Sequence, residues 1–337
     1  MKTFATLFSG GEGVGVGLTA AGMHHAWGIE YDPAIAAVAQ ANGFDVRVAD
    51  VRAVDYAALP RVDWLHASPV CTRASVANSG ATEAQEDIDT AAAVVRALDA
   101  QQPQIFTLEN VWQYRTFKAF TNICDQLGRM GYFWTYDHVN AADFGVPQTR
   151  RRLILRASRG LLPFLPQPVP WVGWYAAIED LLPTLPESKL APWQLARLPE
   201  ELRGAVLVET QNTARDATVR QASEPATTLS HSVASRPSHQ LAVLVAGLLN
   251  SESTKLTQRN GSAPSFTVTT SHNQKDVRAW TGAHVVSMTT RCLARFQSLP
   301  DAYILPDKRT LAAKVIGNMV PPLLMQRIAE NMLAVTA

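Results

Sequence analysis

The chain has 337 residues, 47% hydrophobic and 18% charged, which is enough to bury one large domain plus a smaller one. Thirty Lys and Arg against 29 Asp and Glu leave a formal charge of +1, so bulk charge draws in no nucleic acid and a polyanion site requires a local basic groove. No apolar run reaches the roughly 20 residues of a membrane span, and "MKTFATLFSGGEG" turns to glycine too early for a secretory signal; three scattered cysteines, Cys71, Cys124 and Cys292, form neither a disulfide framework nor a CxxC zinc pattern. A cytoplasmic, globular protein is expected.

In chain order, the apolar runs 3–8, 26–30, 46–49, 64–67, 105–108, 133–139 and 153–156 read as strands. Between them "VGVGLTAAGM", "DPAIAAVAQAN", "DTAAAVVRALDAQQ" and "FKAFTNICDQLGRMGY" carry helical spacing, the alternation of a doubly wound, mainly parallel sheet. The prolines of "LLPFLPQPVPW", 161–171, exclude helix and central strand and mark a boundary. From 172 to 285 the composition shifts to Ser, Thr and Pro with short β-like runs; "EPATTLSHS" and "APSFTVTTSH" within it are alike, as two similar strand entries would be. Helical periodicity returns in "TTRCLARFQSLP" and "VPPLLMQRIAENML". The domains expected are therefore a catalytic and cofactor-binding domain over 1–160, a smaller domain over 172–285, and carboxy-terminal helices over 286–337 that rejoin the first.

Ligands of such sheets bind outside the carboxyl ends of the strands. There the sequence places "FSGGEGVGVGL", the acidic "EYD" of Glu30, Tyr31 and Asp32, then Asp50, the "SPVCTRAS" turn and the "ENV" of Glu109, Asn110 and Val111. Glycines admit a ligand to a helix start and an acid ending the second strand can hold ribose hydroxyls, which describes a nucleoside-cofactor site. The run Gly15-Val16-Gly17-Leu18-Thr19-Ala20 also fits GxGxxA, so a nicotinamide oxidoreductase is a rival; those glycines, however, fall inside the expected helix, one turn too late to cradle a pyrophosphate.

The ordered set "FSGGEG", "EYD", the Pro69 and Cys71 of "SPVC", "ENV", "VPQTRRR", "TTRCLARFQSLPDAY" and "IGNMVPP" resembles the cytosine-5 DNA methyltransferase family, as does the long insert between "QTRRR" and "TTRCLARFQ". The likeness spans 1–156 and 286–330. It implies a Rossmann-like S-adenosylmethionine-dependent methyltransferase fold with the insert as a smaller target-recognition domain. The implied enzyme is a DNA (cytosine-5) methyltransferase acting on a specific duplex sequence, monomeric, with no membrane partner and with a cognate restriction endonuclease as a companion in restriction–modification.

The chemistry suits these residue types. Carbon 5 of cytosine becomes nucleophilic only after a thiolate adds at carbon 6, and a thiol near pKa ~8.5 needs only modest electrostatic help to serve. Cys71, in a proline-flanked turn, fits that role; Cys124 and Cys292, inside helical patterns, read as small core residues. Glu109, ending an apolar strand, suits the proton interaction at N3, with Asn110 bracing its turn. By the resemblance, Arg152 contacts the cytosine O2 and Arg150 steadies the Cys71 loop; strand alternation turns the two to one face. Attack perpendicular to the ring requires a flipped base. The resemblance gives Phe8, Ser9, Gly10, Gly11, Gly13, Pro69 and Asn318 the cofactor's surroundings, Glu30 its ribose, Tyr31 a stacking face on adenine and Asp50 the adenine amino group; a core role for Tyr31 is the other reading.

Four positions depart from the family pattern: Glu12 and Ser68 where glycine is usual, Val70 where proline is usual, and Thr72 where glutamine is usual. Glu12 has two readings, a helix-end carboxylate pointing away from the cofactor or a carboxylate facing its methionine portion. Two other functions share the scaffold, an RNA cytosine-5 methyltransferase and a catalytically silent DNA-binding homologue; Cys71, Glu109 and Arg152 argue against the latter. In the insert Arg215, Arg220, Arg236, Lys255, Arg259, Lys275 and Arg278 are candidate phosphate or base contacts.

Overall fold

The computed structural model describes residues 1–69, 82–187, 209–210, 243–245, 256–260, 262–265, 278–280 and 285–335. Its centre is a seven-stranded sheet of β1 (Thr3–Leu7), β2 (His24–Glu30), β3 (Val46–Val48), β4 (Trp64–Ala67), β5 (Ile105–Asn110), β6 (Phe133–Asn140) and β7 (Arg151–Ser158), in the order β3-β2-β1-β4-β5-β7-β6. All residues of β4 and β5 are buried, as expected of central strands covered on both faces. The strands from β3 to β5 pair in parallel, and the order reverses beside β1, which pairs with both β2 and β4. That reversal opens the crevice at the carboxyl edge.

β7 runs antiparallel to both neighbours and sits between β5 and β6. The physical reason is the connection 141–150, too short for the dozen or more residues of a helical crossover, so β6 and β7 close as an antiparallel pair. The reversed strand departs from the 3-2-1-4-5-6 order of dinucleotide-binding sheets.

Helices α1 (Gly13–Ala20), α2 (Pro33–Ala41), α3 (Gln85–Gln101) and α4 (Lys118–Arg129) follow strands, and α5 (Trp174–Ile178), α6 (Thr290–Phe296), α7 (Arg309–Asn318) and α8 (Pro322–Val335) complete the helical layers. One sheet face is packed by α3 and α4 around Leu98, Phe106, Tyr114 and Leu127. On the other, α1 meets α8 around Leu18, Leu324 and Ile328. Gly17 makes that approach so close that an added Cβ would lie 2.4 Å from the Pro322 carbonyl oxygen. Of the GxGxxA-like glycines, Gly17 therefore serves helix packing.

A second sheet has the order β12-β11-β9-β10-β8, built from β8 (Glu209–Thr210), β9 (Val243–Val245), β10 (Leu256–Asn260), β11 (Arg278–Trp280) and β12 (Val285–Ser287), all antiparallel. Residues 161–173 form no helix or strand. Past 172 the chain first makes α5, whose Trp174 and Ile178 are fully buried with Cys292, Phe296 and Ile316 of the carboxy-terminal helices. Val286 of β12 shares that core. The small sheet is thus entered and left through the carboxy-terminal helical layer. Of the candidate insert contacts, Arg259 lies on β10 and Arg278 on β11, while Arg215, Arg220, Arg236, Lys255 and Lys275 lie outside the described residues.

Candidate active site

The loop after β1 holds three left-handed residues in five positions: Phe8 (φ 58°), Gly10 (φ 56°) and Glu12 (φ 61°). Such backbone is costly for residues with side chains and persists only where its surroundings fix it. Here the surroundings are both ends of the chain. The Ser9 amide donates to the Ile29 carbonyl at 2.9 Å and the Gly10 amide to Glu30 Oε2 at 2.9 Å. The Tyr303 hydroxyl donates to the Gly11 carbonyl, and a Cβ on Gly13 would lie 2.4 Å from the Val320 carbonyl oxygen. At Gly10, by contrast, a Cβ would meet nothing within 4 Å, so the loop is clamped from behind and open in front.

Glu12 is fully buried and, although it stands at the N-cap of α1, its side chain makes no capping hydrogen bond. Its carboxylate accepts from Thr6 Oγ1 and lies 3.4 Å from His25 Nε2. Gly15 and Gly28 leave room for it, since a Cβ on either would come within 2.4 and 2.6 Å of its oxygens. The side chain points into the body of the domain, away from the open side of the loop, as the first reading of Glu12 had it, but it is held by buried polar partners and not by a helix end.

Beyond the loop, Glu30 ends β2 with both oxygens engaged, Oε1 accepting from the Asp32 amide at 2.9 Å. Tyr31 is 73% exposed, which rules out its core reading. The Asp50 carboxylate accepts from the Arg52 guanidinium at 2.6–3.1 Å and from the Arg52 amide at 2.9 Å; the side-chain bond holds its carboxyl below the usual range. Asn318, exposed at the end of α7, precedes the Met319 that packs on Gly11 and Gly13.

At the other half of the edge, Glu109 is buried at the end of β5 and its Oε1 lies 3.0 Å from Arg152 Nε of β7, without hydrogen-bond alignment. Asn110 accepts from the Val111 amide at 2.8 Å and donates to the Pro69 carbonyl at 3.0 Å, bracing its own turn and the exit from β4 together. Arg150 and Arg152 are turned inward while Arg151 is exposed, as alternation requires. Arg150 is 2% exposed and donates to the Gly317 carbonyl at 3.0 Å, tying the "QTRRR" segment to the end of α7. Cys71, with Val70 and Thr72, lies outside the described residues. Burial pushes the Cys124 thiol up to about 12 and raises that of Cys292, so neither is a thiolate at neutral pH.

Two buried groups escaped sequence reasoning. Gln148 and Gln297, both fully buried, join amide to amide, and Gln297 Nε2 also donates to the Ile316 and Met319 carbonyls. This pair fastens "VPQTRRR" to the segment behind the glycine loop. Ser265 of the insert completes the junction, exchanging bonds with Pro147 and Thr149 at 2.7 and 2.9 Å. The other group is His66 on β4. The available signal was a polar side chain alone in an apolar run.

The sheet order, with its reversed strand between the fifth and the edge, and the glycine loop at its switch point define the Rossmann-like fold of S-adenosylmethionine-dependent methyltransferases. Solved structures agree with this at the level of fold: the methyltransferase EhMeth of Entamoeba histolytica aligns with TM-score 0.62 at 11% identity, covering 100% of this chain and 99% of its own, and the S. pombe Dnmt2 methyltransferase with TM-score 0.61 at 12% identity, covering 99% and 98%. Residues 2–334 match the family model of the C-5 cytosine-specific DNA methylases, and the chain belongs to that family. The Type II methyltransferase M1.HphI of Haemophilus parahaemolyticus is 27% identical over 98% of this chain and 86% of its own length; M.NgoBI of Neisseria gonorrhoeae is 28% identical over 52% of this chain and 56% of its own. The enzyme class is DNA (cytosine-5) methyltransferase, and the nicotinamide oxidoreductase reading is overturned. No helix among the described residues is long and apolar enough to cross a membrane.

Proposed function

We propose that the chain methylates carbon 5 of a cytosine flipped from duplex DNA, with Cys71 adding to carbon 6 and S-adenosyl-L-methionine as methyl donor. The observation that carries the reading is the Glu109–Arg152 pair, a buried carboxylate and a guanidinium 3.0 Å apart at the carboxyl edge of the sheet. The edge is also where the chain leaves β4 toward Cys71. A cytosine offers N3, a proton acceptor once carbon 6 is attacked, beside O2, which a guanidinium can bond. Glu109 and Arg152 present complementary groups to both. Because Arg152 lies off the hydrogen-bond line, Glu109 keeps bonding capacity for the base. Arg150, Asn110 and Gln148 hold the surrounding segments in register.

The open face at Gly10 and the rigid backing of Gly11 and Gly13 fit a nucleoside cofactor, with Phe8, Ser9, Glu30, Tyr31, Asp50, Pro69 and Asn318 as its surroundings. When bound, that cofactor supplies an electrophilic methyl group on a sulfonium sulfur. Glu30 fixes the loop through Gly10 and keeps lone pairs for ribose hydroxyls, and Tyr31 offers an exposed ring. Asp50 reaches an adenine amino group only by sharing its carboxylate with Arg52.

The insert from 172 to 285 is the part we assign to reading the DNA sequence; a monomeric, cytoplasmic enzyme with a cognate restriction endonuclease completes the proposal. The test is covalent capture. In the presence of S-adenosylmethionine, duplex DNA with 5-fluorocytosine at the target should form a denaturation-resistant adduct with the wild type and none with Cys71→Ser. An adduct with the serine variant, or one mapping to Cys124 or Cys292, would refute it.

A further inference from the structure

We propose that His66 is a positioning residue for the exit of β4, from which the chain runs on to Cys71, acting through the hydroxyl of Ser68. His66 lies on β4 with 1% exposure, and its ring joins a continuous polar chain across the core. Trp64 Nε1 donates to Thr107 Oγ1 at 2.9 Å; Thr107 Oγ1 lies 2.8 Å from His66 Nδ1; His66 Nε2 lies 2.9 Å from Ser68 Oγ. An indole nitrogen can only donate, so Thr107 accepts from it; we assign the tautomer in which the Thr107 hydroxyl donates to Nδ1. Nε2 then carries the ring proton and donates to Ser68, leaving the Ser68 hydroxyl hydrogen as the open end of the chain. Burial pushes the imidazole down to about 3, so it stays neutral and the chain keeps its direction across the working pH range.

Ser68 is the first residue beyond β4, and Cys71 lies three positions further on. Three bonds from three strands fix this exit: the Ser68 amide donates to the Leu7 carbonyl at 3.2 Å, Asn110 holds the Pro69 carbonyl at 3.0 Å, and His66 holds the Ser68 side chain. Ser68 also stands where the family pattern has glycine, which would leave the Nε2 proton without a partner in the core. His66 and Ser68 are thus a matched pair, and their placement sets where the chain starts toward the nucleophile. The inference rests on Cys71 being that nucleophile.

A histidine with a merely structural role would lower stability when replaced but leave the folded enzyme's rate alone. Two amides separate the cases. Glutamine can place its nitrogen near the Nε2 position and keep Ser68; asparagine can place its oxygen near Nδ1 and accept from Thr107, but does not reach Ser68. Adduct formation on 5-fluorocytosine duplex and single-turnover methyl transfer should slow about tenfold or more in His66→Asn and recover to within about threefold of wild type in His66→Gln, with cofactor affinity unchanged in both. Ser68→Ala, at the partly buried end of the chain, should match His66→Asn, and the double variant should lose no more than either single one. Equal losses in the Asn and Gln variants, a wild-type rate in Ser68→Ala, or losses that multiply in the double variant would overturn the proposal. If the wild type forms no adduct, or Cys71→Ser forms one, the nucleophile assignment itself fails and takes the proposal with it. A normal wild-type adduct beside indistinguishable His66 variants defeats the His66 role alone.

Discussion

Glu109→Gln separates chemistry from stability at the centre of the site. The substitution preserves shape and leaves an oxygen for Arg152, but removes the charge and the titrating proton. The ion pair joins a buried carboxylate to an arginine whose side chain is 19% exposed, so solvent screens part of it. Exchanging a charge-assisted contact for a neutral one then costs about 1 kcal/mol. In a domain of this size that lowers the melting temperature by about 2–4 °C. Loss of the proton interaction at N3 should slow methyl transfer about 10²–10⁴-fold, or about 3–5 kcal/mol on the barrier. The kinetic effect therefore exceeds the structural one. Single-turnover methyl transfer at saturating DNA and cofactor, with DNA affinity and melting measured on the same preparations, reads both. A rate within threefold of wild type, or a fall in DNA affinity as large as the fall in rate, would show that Glu109 does not act on the reacting base.

Glu12→Gly removes a left-handed residue that costs about 1–2 kcal/mol but also deprives Thr6 and His25 of a buried partner, so calorimetric titration should find cofactor affinity within threefold of wild type and a slightly lower melting temperature; a tenfold change in affinity would mean that the carboxylate acts on the cofactor after all. Gln297→Leu leaves the Met319 carbonyl without its side-chain donor and should cost about 1–3 kcal/mol, seen in denaturant melts; no loss would mean that water replaces the amide. Arg295 holds the Asp180 and Asp301 carboxyls below their ordinary range through side-chain hydrogen bonds. A depressed carboxyl pKa stabilises the fold above the unfolded value and loses that contribution as pH falls through the folded one, so the link weakens below about pH 4. Arg295→Met should accordingly lose less melting temperature than the wild type between about pH 5 and pH 3; parallel curves would remove these pairs as the source.

The strands were legible from their apolar runs: the ranges expected for β1 to β7 all overlap the observed ones, and β4 coincides. The reversed placement of β7 was not, although the short 141–150 connection contained the reason for it. Helix α7 is not among the expected elements; only its last three residues fall within the "IGNMVPP" motif. At the site, the residue types at the strand ends were legible, whereas their partners were not. Nothing adjacent in sequence signals that Glu12 lies among Thr6, His25, Gly15 and Gly28, because that cage is assembled from three elements. The Asp50–Arg52 fork spans two residues and could have been anticipated. Gln148 pairs with a residue of α6's carboxyl end, and only folding brings them together.

The loop following the first strand is backed by residues 303–320, and the first helix by the last. During synthesis, then, the amino-terminal third leaves the ribosome with its glycine loop and the flank of α1 uncovered, and waits for nearly the whole chain before that surface is closed. Contacts of such separation make for slow acquisition of the native state and a long-lived sticky intermediate. The same arrangement lets the intervening segment between α5 and α6 change length cheaply, since the entropy of closing a loop grows only with the logarithm of its size. Premature termination anywhere before α8 should therefore yield aggregation-prone chains and no smaller working enzyme, while insertions between 187 and 285 should be tolerated by the scaffold.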